Sequence, residues 1–380
     1  SRLWTSASAV ARMLVLSSQA RADATPDCNA GAGANSTECG AGATALGDAS
    51  VVIGSDGDDA DAAGPSADGN DAIAIGSDSN ANGNSTTTVG GESNADGIAA
   101  TSYGWRSNAT GERAHALGHL ATANGERSMA VGEDADAQSA FSTAIGNQSE
   151  ANGVDALAIG DNASADGTST TAVGGESVAD GTAATAFGWR ANATGERAHA
   201  FGHLASAQGT RSLAVGEAAS ATGERSTAVG DKSSAGFDNS TALGAGATTT
   251  RANQFVLGTG SNTYTAPGIT SSASRAAQSG PLEVVTSDAS GNLATDGGKL
   301  FDEVDDLREG VALALSMPTP IVGAGDRFAL SGNFGYYDEK GAFSAAGAVR
   351  VNNTLTLNAG VGAGFDSGKV GASAGATLSW

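Results

Sequence analysis

Glycine and small apolar residues recur along residues 76–258 at a fixed spacing of 14 positions. A glycine stands at Gly76 and at every fourteenth residue up to Gly258, and a bulky apolar residue precedes each of these glycines. In most repeats Ala stands before that apolar residue, so small and bulky side chains alternate. Alternation with a period of two predicts short β-strands, and a fixed long period predicts coils stacked on one another. The sequence therefore predicts a β-solenoid head over residues 76–258.

A second series of glycines lies half a period later, from Gly83 to Gly223, and Ser139 interrupts it once. Each repeat therefore has two halves, and we expect each half to be a short strand followed by a turn that requires glycine. Two strands per repeat describe a flattened β-roll. The three-sided β-helix of hexapeptide acyltransferases has longer coils, so an acyltransferase-like enzyme is an alternative that the repeat length disfavours.

One block of repeats occurs twice. The segment ATGERAHALGHLATANGERSMAVGE, which begins at Ala109, returns six repeats later, from Ala193, with few changes. His115 and His119 recur in the second copy as His199 and His203. The residue after each main glycine varies freely between repeats, which predicts solvent-exposed turns. No Ser, Cys or metal ligand stands at a spacing suited to catalysis, so we expect no enzyme activity, no metal site and no cofactor.

The duplicated block carries the candidate ligand-binding residues. Trp105 and Arg106 follow a main glycine, and they recur as Trp189 and Arg190. Trp and Arg are enriched at binding hot spots, and residues 76–258 contain no other Trp. The alternative is that each Trp only covers the turn of a neighbouring coil or chain.

The C-terminal region begins with a helical pattern. Leu300, Val304, Leu307 and Val311 in residues 299–316 are spaced by four, three and four positions. This spacing is typical of the seam of a coiled coil. A helix of this length has only marginal stability in isolation, so packing against partner helices or a surrounding sheet must stabilise it.

Four segments of alternating apolar and small or polar residues follow within residues 317–380. This alternation in strands of about ten residues is typical of outer-membrane barrels. Four strands cannot close a barrel, and an open sheet edge is not stable in lipid, so several chains must share one barrel; three chains give 12 strands. The expected lipid-facing residues are Phe328, Leu330, Phe343, Leu355, Leu357, Val361, Phe365, Leu378 and Trp380.

Residues ahead of the regular repeats indicate export. Residues 1–24 end in a small-x-small sequence after a short apolar run, as the remnant of a secretory signal peptide would. Cys28 and Cys39 are candidates for a disulfide, since they could close a small loop in an oxidising compartment. The head starts irregularly over residues 25–75, where we expect a solvated acidic loop rather than a calcium site. Residues 259–298 are polar and are typical of a connector.

Composition narrows the function classes. The chain has 56 Gly among 380 residues and 5% aromatic residues, which does not allow a thick core of large side chains. Its formal net charge of −22 argues against nucleic acid as a partner, because phosphates require a basic surface.

These features together resemble the YadA-like trimeric autotransporter adhesins of Gram-negative bacteria. The phrases FSTAIG and ALAIG are similar to that family's head repeat, and the tail from EGVALALSMP to GASAGATLSW resembles its membrane anchor. The resemblance covers roughly residues 40–260 and 299–380. It implies an all-β chain with a trimeric, left-handed parallel β-roll head, a short coiled-coil helix and four strands of a trimeric 12-stranded outer-membrane barrel.

The resemblance also implies a function and a set of partners. We expect a homotrimer that contacts outer-membrane lipid, exports its own passenger, exposes its head at the cell surface and binds extracellular matrix or another surface ligand. The alternative is a surface scaffold that mediates autoaggregation or biofilm formation without a specific host ligand.

Overall fold

The repeats form a parallel β-solenoid in the structure, a computed structural model that describes residues 28–56 and 64–380. Strands of three residues pair in register with the strand one coil away and build the wide sheet. These strands are Thr37–Cys39, Val51–Ile53, Ile73–Ile75, Thr87–Val89, Thr101–Tyr103, His115–Leu117, Met129–Val131, Thr143–Ile145, Leu157–Ile159, Thr171–Val173, Thr185–Phe187, His199–Phe201, Leu213–Val215, Thr227–Val229, Thr241–Leu243 and Phe255–Leu257. The predicted β-solenoid is confirmed.

The second half of each coil contributes a strand of two residues to a separate parallel sheet, the narrow sheet. These strands are Thr44–Ala45, Ser66–Ala67, Asn80–Ala81, Asn94–Ala95, Asn108–Ala109, Thr122–Ala123, Asp136–Ala137, Glu150–Ala151, Ser164–Ala165, Val178–Ala179, Asn192–Ala193, Ser206–Ala207, Ser220–Ala221 and Ser234–Ala235. Alanines from both sheets are buried between them and form one core from Ala95 to Ala247 and a smaller cluster from Ala45 to Ala81. Side chains no larger than a methyl group allow the two sheets to lie close together, which explains the paucity of large residues.

The two glycine series have different roles, which corrects the expectation that both are turn glycines. The main glycines have φ between +118° and +148° from Gly76 to Gly244, a region that favours glycine. The half-period glycines do not have positive φ; a Cβ on Gly153, for example, would overlap the backbone of Gly167 in the next coil. The left-handed turn residues are instead non-glycine residues such as Arg106 and Arg113, with φ of 54° and 58°.

The first described residues form a hairpin on the solenoid. Strand Asn29–Ala30 pairs antiparallel with Thr37–Cys39, and Cys28 is joined to Cys39 by a disulfide. The proposed signal-peptide remnant at residues 1–24 lies outside the described residues, as do residues 57–63 of the acidic loop.

The chain divides into two compact units, and the second runs from Tyr264 to Trp380. Its connector holds a 3₁₀ turn at Pro267–Thr270, a helix at Ser272–Ala277 and a hairpin of strands Val285–Ser287 and Leu293–Thr295. The anchor helix follows at Lys299–Ser316. Four antiparallel strands then form the anchor sheet: Phe328–Tyr337, Lys340–Arg350, Leu355–Gly364 and Val370–Leu378.

Among the described residues, no helix has both the length and the apolar character needed to cross a membrane.

Candidate functional site

The outward face of the wide sheet carries no formal charge. It is formed by the first and third residue of each strand, and from Val51–Ile53 to Phe255–Leu257 none of these is Asp, Glu, Lys or Arg. Many are large apolar side chains that stay exposed in the single chain, such as Tyr103 at 59% and Phe187 at 55%. Such a surface in a chain with a net charge of −22 has the character of an interface rather than of a solvated face. We call it the wide face.

The outward face of the narrow sheet has the opposite character. Polar side chains on it join neighbouring coils through hydrogen bonds between residues one coil apart. The Asn94 Nδ2 donates to Asn108 Oδ1 at 3.0 Å, and Asn152 Nδ2 donates to Asp166 Oδ1 at 2.7 Å. This face is suited to water, so the two sheets differ in what they can contact.

Trp105 and Arg106 lie in a turn at one edge of the solenoid, as the sequence predicts. The indole of Trp105 stacks on the imidazole of His119 in the next coil, with ring centroids 4.9 Å apart and an interplanar angle of 15°. The guanidinium of Arg106 lies 4.4 Å from the Trp105 ring centroid. The previous coil has Gly91 below the indole, where no side chain competes for the space.

A carboxylate from the previous coil holds this arrangement. Glu92 accepts hydrogen bonds from Arg106 Nε at 2.6 Å and from Trp105 Nε1 at 3.2 Å. His119 Nδ1 lies 3.3 Å from a carboxylate oxygen of Glu133 in the following coil. The Trp105 ring therefore has contacts with both His119 and Arg106, and 45% of the residue remains exposed.

The second copy of the block repeats this geometry. Trp189 stacks on His203 at the same 4.9 Å and 15°, and Arg190 Nε lies 2.8 Å from Glu176. His203 Nδ1 lies 3.5 Å from Glu217. Two equivalent edge clusters, each centred on one indole, therefore stand six coils apart. The four predicted residues fall in two separate places, one pair in each cluster.

The glutamates of the edge clusters were not recognised from the sequence, and His119 and His203 were expected only as exposed turn residues. Each of them lies one coil along the chain from its partner in the cluster, as Glu92 does from Arg106 and His119 from Glu133. The repeat length therefore contained the signal, since side chains at equal positions of adjacent coils are neighbours in a parallel solenoid.

The anchor helix has two different sides. Glu309, Ala312, Leu313 and Ser316 are buried against the anchor sheet. The four residues of the predicted seam, Leu300, Val304, Leu307 and Val311, are 37–69% exposed in the single chain. The apolar seam therefore lies on a side of the helix that the chain's own sheet does not cover.

The anchor sheet presents one face to this helix and the other away from it. Glycines on the helix side make room: a Cβ at Gly335 would overlap the helix backbone, and one at Gly371 would come within 2.9 Å of Leu313. The predicted lipid-facing residues all project to the opposite face or continue its alternation, and Trp380, Leu330 and Phe328 are the most exposed of them. The sheet therefore has an outer apolar face and an inner face of small residues.

A buried carboxylate fixes the helix to one end of the sheet. Glu309 is 2% exposed and accepts the backbone N–H of Asp366 at 2.6 Å and that of Ser367 at 3.1 Å. The Ser367 hydroxyl donates to the same carboxylate. Lys369 in this turn also pairs with Asp306 on the helix. Position 309 was not a candidate in the sequence, because its partners lie in a turn three strands further along the chain.

Both parts of this architecture match known protein families. Six segments of the solenoid match the YadA head domain repeat, over residues 67–93, 109–135, 137–163, 165–191, 193–219 and 221–247. Residues 320–380 match the YadA-like membrane anchor domain. Together these segments make up more than half of the chain. The chain belongs to the YadA-like family.

The solenoid is similar in part to a solved structure. The crystal structure of the collagen-binding domain of Yersinia adhesin YadA is 23% identical, with a TM-score of 0.30, and the match covers 48% of this chain and 85% of that chain. No curated protein matches the chain. In YadA-like terms, the solenoid is the head and the C-terminal sheet is the membrane anchor. Both matched families describe adhesin and anchor domains, and neither is enzymatic.

Proposed function

We propose that this YadA-like chain is a non-enzymatic homotrimeric surface adhesin, in which three heads pack through their wide faces. The uncharged wide face carries this proposal. It extends over the whole regular solenoid, about 70 Å at one strand spacing per coil. Leaving such an apolar surface in water is unfavourable, and association removes it from water.

The anchor supports three chains rather than two. An eight-stranded barrel has an interior that side chains alone fill, so two chains leave no room for their helices. Three chains give 12 strands and a wider interior, lined by glycines such as Gly335 and Gly371 that leave space for helices. The seam residues of three helices then pack on the central axis, and the outer apolar face contacts outer-membrane lipid.

We further propose that the chain exports its own head and attaches the cell to a surface. The anchor serves as the pore through which its own head passes, and the head then stands at the cell surface and binds host matrix or another surface ligand. The two edge clusters are the proposed ligand-binding residues, centred on Trp105/Arg106 and Trp189/Arg190. Six coils place them roughly 29 Å apart, and three chains repeat them. Several weak contacts at such spacing add up on a long polymer.

A charge on the wide face tests the trimer. The change Ile159→Glu puts three carboxylates into the proposed interface, whereas Val178→Glu puts the same charge on the narrow sheet. Light scattering of the detergent-solubilised full chain measures the mass. Because the proposed anchor also holds the chains together, we expect a trimeric mass for all three proteins. We expect the head of Ile159→Glu, and not that of Val178→Glu, to melt at a lower temperature than the parent by circular dichroism, and equal melting of the two variants would count against packing through the wide face. A monomeric parent protein would refute the proposal.

Binding of purified matrix proteins to cells that display the protein tests the adhesion surface. We expect the double change Trp105→Ala with Trp189→Ala to reduce binding per displayed trimer at least tenfold. Phe141→Ala is the matched control, because it removes an exposed aromatic residue that lies under Arg127 in a different turn. Unchanged binding would assign the indoles to packing alone, and a parent that binds only itself would support the scaffold function instead.

A further inference from the structure

Two histidines stand on the wide face. His115 and His199 are the first residues of their strands, and both are half-buried in the single chain. On the two adjacent strands, Thr101 and Met129 are the residues paired with His115. The turn histidines of the same block, His119 and His203, lie at the edge of the solenoid instead.

The neighbours of these histidines have changed between the two copies of the block, while the histidines have not. Tyr103, Leu117 and Met129 in the first copy correspond to Phe187, Phe201 and Leu213 in the second. Most of the apolar residues around the imidazole have thus been exchanged for other apolar residues. The threonine one coil before it is the same in both copies, as Thr101 and Thr185.

A three-fold axis that runs along the solenoid keeps each residue level with its two copies. The three His115 imidazoles then meet in one layer inside the interface, and the three His199 imidazoles meet in a second layer. An imidazole nitrogen buried among apolar groups without a partner is unfavourable. Protonation offers no remedy, because it places three like charges together in an uncharged interface.

A metal ion removes this difficulty. Imidazole nitrogen is a preferred ligand of Zn²⁺, and three His with one open position is an established coordination set for it. The other ring nitrogen of a zinc-bound His usually donates to an oxygen, and the hydroxyls of Thr101 and Thr185 stand one strand spacing away for this purpose. Six coils separate the two layers by roughly 29 Å.

We propose that His115 and His199 of three chains form two zinc-class metal sites on the axis of the head. This inference rests on the trimer proposed above, since the sites are incomplete without the partner copies. Within one chain, the described residues contain no group of three His, Cys, Asp or Glu that could hold a metal. The spacing of ligand residues along one sequence could therefore not reveal this site, because its ligands come from different chains.

Metal content of the full-length, detergent-solubilised protein tests the inference. The protein is stripped with a chelator, reloaded with Zn²⁺, dialysed, and measured by elemental analysis together with its mass by light scattering. We expect two zinc ions per three chains. His115→Gln and His199→Gln each lose one ion, and the double variant loses both. The matched control, His119→Gln with His203→Gln, keeps both ions.

Replacement of zinc by Co²⁺ provides a readout that needs no variant. Three imidazoles and one further ligand give Co²⁺ a tetrahedral site with strong visible absorption, and we expect that spectrum in the parent protein. A trimer that retains no stoichiometric metal, or one whose metal is lost in the control variant, would overturn the inference and leave the trimer intact. A monomeric mass would instead refute the proposed function itself.

Discussion

The indole of Trp105 and the imidazole of His119 lie face to face, 4.9 Å apart, although they belong to successive coils of the chain. The same stack joins Trp189 to His203. Residues at equal positions of adjacent coils are direct neighbours, so two residues 14 positions apart in the sequence are in contact. The edge of the solenoid is therefore a column of stacked side chains rather than a set of independent turns.

A double-mutant cycle measures this stack. We expect Trp105→Ala and His119→Ala to show a coupling free energy of about 0.5–1.5 kcal/mol, as aromatic pairs do beyond the area they bury. Urea unfolding of the parent, the single variants and the double variant provides the four free energies. Trp189 and His203 offer an internal replicate. If the effects of the two single substitutions on the free energy of unfolding are additive, the rings are adjacent without interacting.

A Cβ would overlap the backbone of the next coil at Gly146 as well as at Gly153, so the same substitution at both sites tests the added cost of a positive φ. Gly146 has φ of +136°, whereas Gly153 has no positive φ and its equivalent one coil earlier is Ser139. We expect Gly146→Ser to destabilise the head by about 1–3 kcal/mol more than Gly153→Ser, because only the first forces a side chain into a disfavoured backbone region. Equal free energies of unfolding for the two variants would contradict this division of roles.

Glu309 is expected to hold the anchor helix in place. The change Glu309→Gln removes a buried charged acceptor of two backbone N–H groups, which costs about 1–3 kcal/mol. The proposed trimer, solubilised in detergent, should then dissociate at lower temperature by gel electrophoresis of heated samples. Glu303→Gln is the control, since this residue lies on the same helix and is exposed. If both variants resist heat as the parent does, the turn contact is dispensable.

Asp296 is expected to make the start of the anchor helix sensitive to acid. The backbone N–H of Leu300, and then those of Val284 and Gly298, lower the pKa of Asp296 below its ordinary 3.8. A lowered pKa in the folded chain adds stability above the unfolded value and loses it as the pH falls through the folded one. The link between the connector hairpin and the helix is therefore intact at neutral pH and weakened below about pH 4.

Hydrogen exchange at the Leu300 and Val284 amides measures this link. We expect Asp296→Asn to speed exchange at pH 6 relative to the parent, and the difference between the two proteins to shrink as the pH falls below the ordinary pKa of 3.8 and the carboxylate becomes protonated. Asp302→Asn, in the first turn of the same helix, should leave both amides unchanged. A difference that does not shrink at all as the carboxylate is protonated would show that its charge is not what holds the amides.

The sequence by itself determined the periodic parts of this protein. A fixed repeat length with alternating small and bulky side chains predicts stacked coils of two strands, because that arrangement buries the Ala that recur on the inward side of both strands. The four anchor strands and the helix at Lys299–Ser316 followed from local alternation and seam spacing. These signals are local, and the backbone geometry of each element translates them directly into structure.

The tertiary structure decided which faces and partners those elements have. Alternation cannot say that the outward side of the wide sheet is free of charge along its length, since that face exists only once the coils are stacked. It also could not pair Glu309 with the turn at Asp366, or distinguish His115 on the wide face from His119 at the edge. Such contacts depend on where distant segments meet. The hydrophobic pattern of one segment does not determine which other segments pack against it.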